Sequence, residues 1–212
     1  MPQADLLQRI ARKGSDKAKI ADEIISNPAE IPTILEGLNA SRASIKFGCS
    51  KVLRLASEKS PEVLYPRMEF FVNLLDNGNT FLRIDAARVL AHLTAVDSKR
   101  KFEKIFEKYF APIAGPTMIP AANVIDSAAR IAWAKPGLTG RIVAEILKVE
   151  TANYATEECR NVALGHAIKS LDTFFDRIED KTPVVDLIRK QLLNTRPATR
   201  KKAEAFLKRH RV

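Results

Sequence analysis

Five stretches of this chain repeat one pattern at nearly constant spacing. They read IKFGCSKVLRLA (45–56), LRIDAARVLAHL (82–93), VIDSAARIAWAK (124–135), CRNVALGHAIKS (159–170) and TRKKAEAFLKRH (199–210). Each carries a small anchor, Cys49, Ala86, Ala128, Ala163 or Ala203, followed four residues later by another apolar residue. The anchors are 37, 42, 35 and 40 residues apart, a mean of 38.5. Apolar residues between and around them recur at three- and four-residue steps, the mark of amphipathic helices rather than strands. A period near 40 with two helices per unit restricts the fold sharply. One hairpin of that size cannot bury its apolar face alone, so successive hairpins must stack.

The periodicity predicts twelve helices, over 3–13, 16–26, 29–38, 42–58, 61–75, 80–96, 98–110, 120–134, 138–149, 155–176, 183–193 and 197–210. Breaks at Asn27-Pro28, Ser60-Pro61, Asn77-Gly78, Pro136-Gly137, Thr182-Pro183 and Arg196-Pro197 carry the residues that end helices or start turns. The expected architecture is all-α, an α-α superhelix of about six helical hairpins stacked with right-handed sense. It is read as a single domain over 1–212: a shortened opening hairpin (1–28), central repeats (29–182) and a capping repeat (183–212). The segment APIAGPTMIPAA (111–122), with three prolines and a glycine, predicts a broken helix or long turn.

The repeated second helix resembles HEAT repeats, whose second helix reads apolar, Arg, two residues, Ala, three residues, Leu. The resemblance covers about residues 29–210, and the copy at 124–135 departs from it, with Ile125 where the base should stand. A HEAT or armadillo-type array implies a binding platform whose second helices line a concave surface. It further implies that Lys46, Arg83, Arg160 and Arg200 form a structural ladder, with Asn39, Asp76, Glu150 and Asn194 ahead of them.

Binding residues are therefore sought elsewhere on those helices. At ~100° per residue, positions two and six beyond the anchor point away from the core. One basic residue per repeat falls there: Lys51, Arg88, Arg130, Lys169 and Arg209, with Lys202 on the flank. Spaced cations of this kind can act together on an acidic peptide or a phosphate backbone. Asp85, Glu158 and Asp172 fall in or near the same arc and would partly neutralise it, and an ordinary solvated helix face accounts for the row as well.

The net charge of +10 is unevenly spread. Residues 196–212 hold seven basic side chains against Glu204 alone. A terminal repeat needs a polar outer surface, and cations suit the negative end of a helix dipole, so capping explains this ending. Nucleic-acid binding is the competing reading, and the two are compatible. Aromatic content of 7% offers little base stacking.

Other classes find no support in the residues. The two cysteines, Cys49 and Cys159, sit in apolar helical patterns and read as reduced core thiols. No zinc-ligand spacing, HExxH, P-loop, GxSxG or dinucleotide turn occurs, so no metal, cofactor or catalytic residue is expected. Some HEAT-like folds are DNA glycosylases, but here Trp133 stands alone as the tryptophan, seven residues after Asp126, and is expected to pack between repeats. No stretch approaches ~20 apolar residues, so no membrane partner is expected. The start, MPQADLLQRIARKG, lacks a secretory apolar core, which makes the cytoplasm the expected compartment.

The expected function is a non-catalytic scaffold that binds a protein partner, an acidic segment for preference, in its groove. The alternative is sequence-independent DNA or RNA binding through the basic row and the C-terminal helix, with a glycosylase as a third reading. No oligomeric state is implied.

Overall fold

The computed structural model describes residues 3–212, and they contain thirteen α-helices linked by short 3-10 turns, with no strand among them. By their contacts the residues fall into two compact units, 1–100 and 101–212.

The first unit holds α1 (Gln3–Ala11), α2 (Lys17–Ser26), α3 (Ile31–Gly37), α4 (Ala43–Lys59), α5 (Met68–Leu74) and α6 (Thr80–Leu93). Local chemistry starts these helices where it should. The Asp16 carboxylate accepts from the amides of Ala18 and Lys19 at the head of α2. The Lys19 amide is the main influence holding that carboxyl below its ordinary pKa. Asn79 does the same for α6, accepting from Phe81 and Leu82. The second helices pack in order, α2 on α4 and α4 on α6, while α1 packs on α3. The expected helix over 61–75 instead opens with two 3-10 turns, and its α-helical part starts at Met68. Pro61 and Pro66 lack the amide hydrogen that an unbroken helix would need there.

The second unit holds α7 (Lys101–Lys104), α8 (Phe106–Phe110), α9 (Met118–Ala134), α10 (Thr139–Leu147), α11 (Glu157–Phe174), α12 (Thr182–Lys190) and α13 (Pro197–His210). Here α9, α11 and α13 pack successively, and α10 packs on α12. The expected helix over 98–110 is split at Ile105. Both halves turn aromatic residues inward: Phe102, Phe106, Tyr109 and Phe110 are buried, with ring centroids 4.7–6.5 Å apart. Each of these buried rings stabilises the unit by about 2 kcal/mol through area alone.

The proline-rich segment breaks as expected. A 3-10 turn (Ala111–Ala114) ends at Gly115, whose φ is +98°, and α9 resumes at Met118. A Cβ on Gly115 would lie 2.7 Å from the Asn153 carbonyl oxygen, so only glycine fits the crossing. Beside it, the buried Tyr154 hydroxyl donates to the Ile113 carbonyl at 2.6 Å. Burial pushes its pKa up to about 12.

All five anchors, Cys49, Ala86, Ala128, Ala163 and Ala203, are buried. Small side chains at these sites let neighbouring helices approach closely, and the sequence period reappears as the spacing of contacts between hairpins. Lys59 bonds Asp22, 37 residues back, at 2.6 Å. Arg141 bonds Glu107, 34 back, at 2.8 Å, and Lys190 bonds Glu150, 40 back, at 2.7 Å.

Candidate functional site

The second helices α4, α6, α9 and α11 each expose one stripe at helical spacing, opposite the anchor on the first three and to its side on α11. On α4 it runs through Phe47, Lys51, Arg54 and Glu58, and on α6 through Phe81, Asp85, Arg88 and His92. On α9 it runs through Ile119, Asn123, Asp126, Arg130 and Trp133, and on α11 through Val162, His166, Lys169 and Thr173.

In the first unit the two stripes touch along their length. Phe47 and Phe81 meet edge to face at 5.8 Å between centroids. The Ser50 hydroxyl donates to Asp85 at 2.7 Å. Asp85 lies 3.7 Å from the Arg54 guanidinium and 3.6 Å from that of Arg88. Further along, Ser57 Oγ and His92 Nδ1 are 2.8 Å apart. Lys51 is exposed and has no ion pair among the described residues.

In the second unit the cross-links are ionic. His166 Nδ1 lies 2.9 Å from Asp126 Oδ1. Asp172 takes both Arg209 and His210, and Glu158 takes Arg196. The Lys202 ammonium donates to the Gly165 carbonyl at 2.9 Å, its stem lying across that glycine. A Cβ on Gly165 would sit 2.9 Å from Thr199 Oγ1 and 3.3 Å from Lys202 Nζ. The pKa of Lys202 is lowered, first by burial and next by the charge of Lys169. Arg130 follows Asp126 by four residues and Lys169 follows His166 by three, so the Asp126–His166 contact sets these two cations at one level. Both are exposed and have no ion pair among the described residues.

The six expected binding residues are thus distributed as follows. Lys51 and Arg88 stand in the first unit, Arg88 beside Asp85. Lys169 and Lys202 stand in the second, where the charge of Lys169 helps to lower the pKa of Lys202, with Arg130 at the level of Lys169. Arg209 is engaged by Asp172.

Three of the four ladder positions bond inside their own hairpins. Arg83 donates to Thr80 Oγ1 at 3.0 Å, Arg160 to the Ala152 carbonyl at 3.2 Å and Arg200 to the Asn194 carbonyl at 3.4 Å. Lys46 is half-buried, with no hydrogen bond to another described residue. Between the last two hairpins the link is amide and hydroxyl. Asn194 donates to Asn161 at 2.9 Å, Asn161 to Thr195 at 3.0 Å, and Thr199 to the Asn161 carbonyl at 2.7 Å.

Trp133 is not packed between repeats, contrary to expectation. It is 51% exposed, and the Arg177 guanidinium lies 3.6 Å above its ring. The cation covers one ring face and removes the need for a neighbouring helix to do so. The sequence signal for the Phe47–Phe81 pair is the helical period, which puts both residues on the same stripes as the basic row. Among the described residues no group of three or more His, Cys, Asp or Glu side chains could hold a metal ion. No described helix is long and apolar enough to cross a membrane.

The fold is that of HEAT and armadillo-type helical repeats. It is similar to a designed armadillo repeat protein, YIII(Dq)4CqI, with a TM-score of 0.55 and 15% identity, covering 97% of this chain and 92% of that one. It is also similar to an engineered protein with a TM-score of 0.53 and 15% identity, covering 97% of this chain and 87% of the other. At that identity the likeness is one of fold alone. No protein-family model and no curated protein matches the chain.

Proposed function

We propose that this chain is a non-catalytic helical-repeat scaffold that holds an acidic segment of a protein partner on the exposed stripes of its second helices. The observation that carries this reading is the pair Lys169 and Lys202. Burial and the neighbouring charge of Lys169 lower the pKa of Lys202, against the opposing influence of Asp126, and neither lysine has an ion pair among the described residues. Two like charges held together by the fold favour an anion between them, and a carboxylate-bearing peptide supplies one. Arg130 extends this patch, and Lys51 and Arg88 offer a second one in the first unit. Arg209 contributes less, because Asp172 already holds it. On this reading residues 1–212 act as one functional domain, and the cytoplasm is the compartment in which it works.

The second reading, phosphate-backbone binding, is favoured by Lys201, Lys208 and Arg211, which are exposed on or just beyond α13 with no ion pair among the described residues. The test is fluorescence anisotropy with a labelled glutamate-rich peptide, random duplex DNA and single-stranded RNA across a salt titration. The scaffold reading expects the peptide to bind most tightly, and the double variant Lys169→Glu, Lys202→Glu to weaken it at least tenfold. Tighter binding to duplex, with a log–log salt slope near −0.9 per phosphate contacted, would replace it with the nucleic-acid reading.

A further inference from the structure

Phe81 is 69% exposed and Phe47 38%, in chains of residues where most large apolar side chains are buried. They are not scattered. Their rings meet at 5.8 Å, so the head of the α4–α6 face carries one continuous aromatic surface. The helix rise then sets what comes next. Lys51 follows Phe47 by four residues, about 6 Å along the axis, and Arg54 and Arg88 follow Phe47 and Phe81 by seven, about 10 Å. Arg54 and Arg88 both lie beside Asp85, while Lys51 is exposed and has no ion pair among the described residues. An apolar platform therefore adjoins a lysine open to a carboxylate.

We infer that this face selects, within the acidic segments it binds, those carrying a large apolar side chain two residues from a carboxylate. In an extended chain residues i and i+2 point the same way and lie about 6.6 Å apart. That matches the step from Phe47 to Lys51: the apolar side chain covers the ring edges of Phe47 and Phe81, and the carboxylate reaches Lys51. The inference rests on the proposed function and adds a sequence requirement to it. A peptide fits better than nucleic acid here. The first unit holds fifteen basic and twelve acidic residues, a near balance unsuited to a run of phosphates. Asp85 also stands beside Arg54 and Arg88, where each additional phosphate would meet it.

The test uses the full chain and fluorescein-labelled peptides of one composition. In one peptide leucine precedes aspartate by two residues, in a second the same residues are scrambled, and in a third leucine is replaced by serine. Phe81→Ser is chosen because that side chain is mostly in water, and its melting temperature is checked alongside. The first peptide should bind at least fivefold tighter than the other two, and Phe81→Ser should remove that preference while leaving the serine peptide's affinity unchanged. Lys51→Glu should weaken all three. Equal affinities for the three peptides, or a Phe81→Ser protein that keeps the preference, would overturn this inference and leave the acidic-segment reading standing. Loss of oligouridylate binding in Phe81→Ser, with no peptide preference, would also overturn it and assign the rings to bases. If none of the peptides binds, the proposed function fails first and takes this inference with it.

Discussion

His210 Nε2 lies 2.7 Å from Asp172 Oδ1, joining residues 38 positions apart in the chain. The same carboxylate takes Arg209, and the His210 ring packs 4.4 Å from that of Phe175 and 4.5 Å from that of Phe206. One acidic side chain on α11 thus ties down the last turn of α13. The arrangement recurs: His166 meets Asp126 40 residues earlier, and His92 meets Ser57 35 residues earlier. Each histidine joins consecutive second helices, from positions six, three and seven residues beyond the anchors Ala86, Ala163 and Ala203.

Replacing Asp172 should therefore loosen the terminal hairpin. Asp172→Ala removes a charge-assisted contact worth about 1.5–3 kcal/mol when sheltered, reduced by the partial exposure of the site. A loss of about 1 kcal/mol in urea denaturation is expected, and a double-mutant cycle with His210→Ala should show coupling. Additive losses would place the stability elsewhere.

Glycine substitutions should differ in sign. Gly165→Ala puts a Cβ 2.9 Å from Thr199 Oγ1, so α11 and α13 must separate, and a loss of about 1–3 kcal/mol is expected. Gly140, in the first turn of α10, has nothing within 4 Å of the added carbon. Gly140→Ala should gain about 0.5–1 kcal/mol from helix propensity. Thermal melts of the two variants check both signs.

Cys49 should resist thiol reagents. It is buried against α3, and burial raises its pKa to about 12. A raised thiol pKa means a scarce thiolate at pH 8, and thiolate is the reacting form. Labelling with a disulfide reagent at pH 8 should modify Cys49 only at the rate of opening, and guanidinium should release it. Fast labelling of Cys49 in the folded protein would contradict its placement.

Arg177→Ala should uncover Trp133. With the guanidinium gone from its 3.6 Å stack, the indole emission is expected to move to longer wavelength and acrylamide quenching to rise. Stability should change by less than about 1 kcal/mol, since the pair is at the surface. Unchanged emission would mean that the ring is already solvated on both faces.

The buried half of this architecture was legible because burial is periodic. Anchors such as Ala128 and Ala163 sit where a 3.6-residue period puts them, whatever the loops do. Even the copy with Ile125 in place of the base keeps its phase, because Ile125 is simply buried. What the pattern could not show was the partner of each polar group. Arg160 reaches the Ala152 carbonyl because the turn before α11 folds back over it, a geometry without a periodic signature. Trp133 was misplaced for the same reason: Arg177, 44 residues on, comes from the turn after α11. The split at Ile105 belongs with these, because an unbroken apolar run conceals where a helix bends.

The central claim is that an acidic partner lies on the second-helix stripes. The most direct test is amide chemical-shift mapping of the labelled 23.6 kDa protein during titration with the glutamate-rich peptide. The account predicts shifts on the exposed stripes of α4, α6, α9 and α11 and around Lys202 on α13, centred on Lys51, Arg88, Arg130, Lys169 and Lys202. Shifts gathered on α3, α5, α10 and α12 instead, or no shift at saturating peptide, would contradict it.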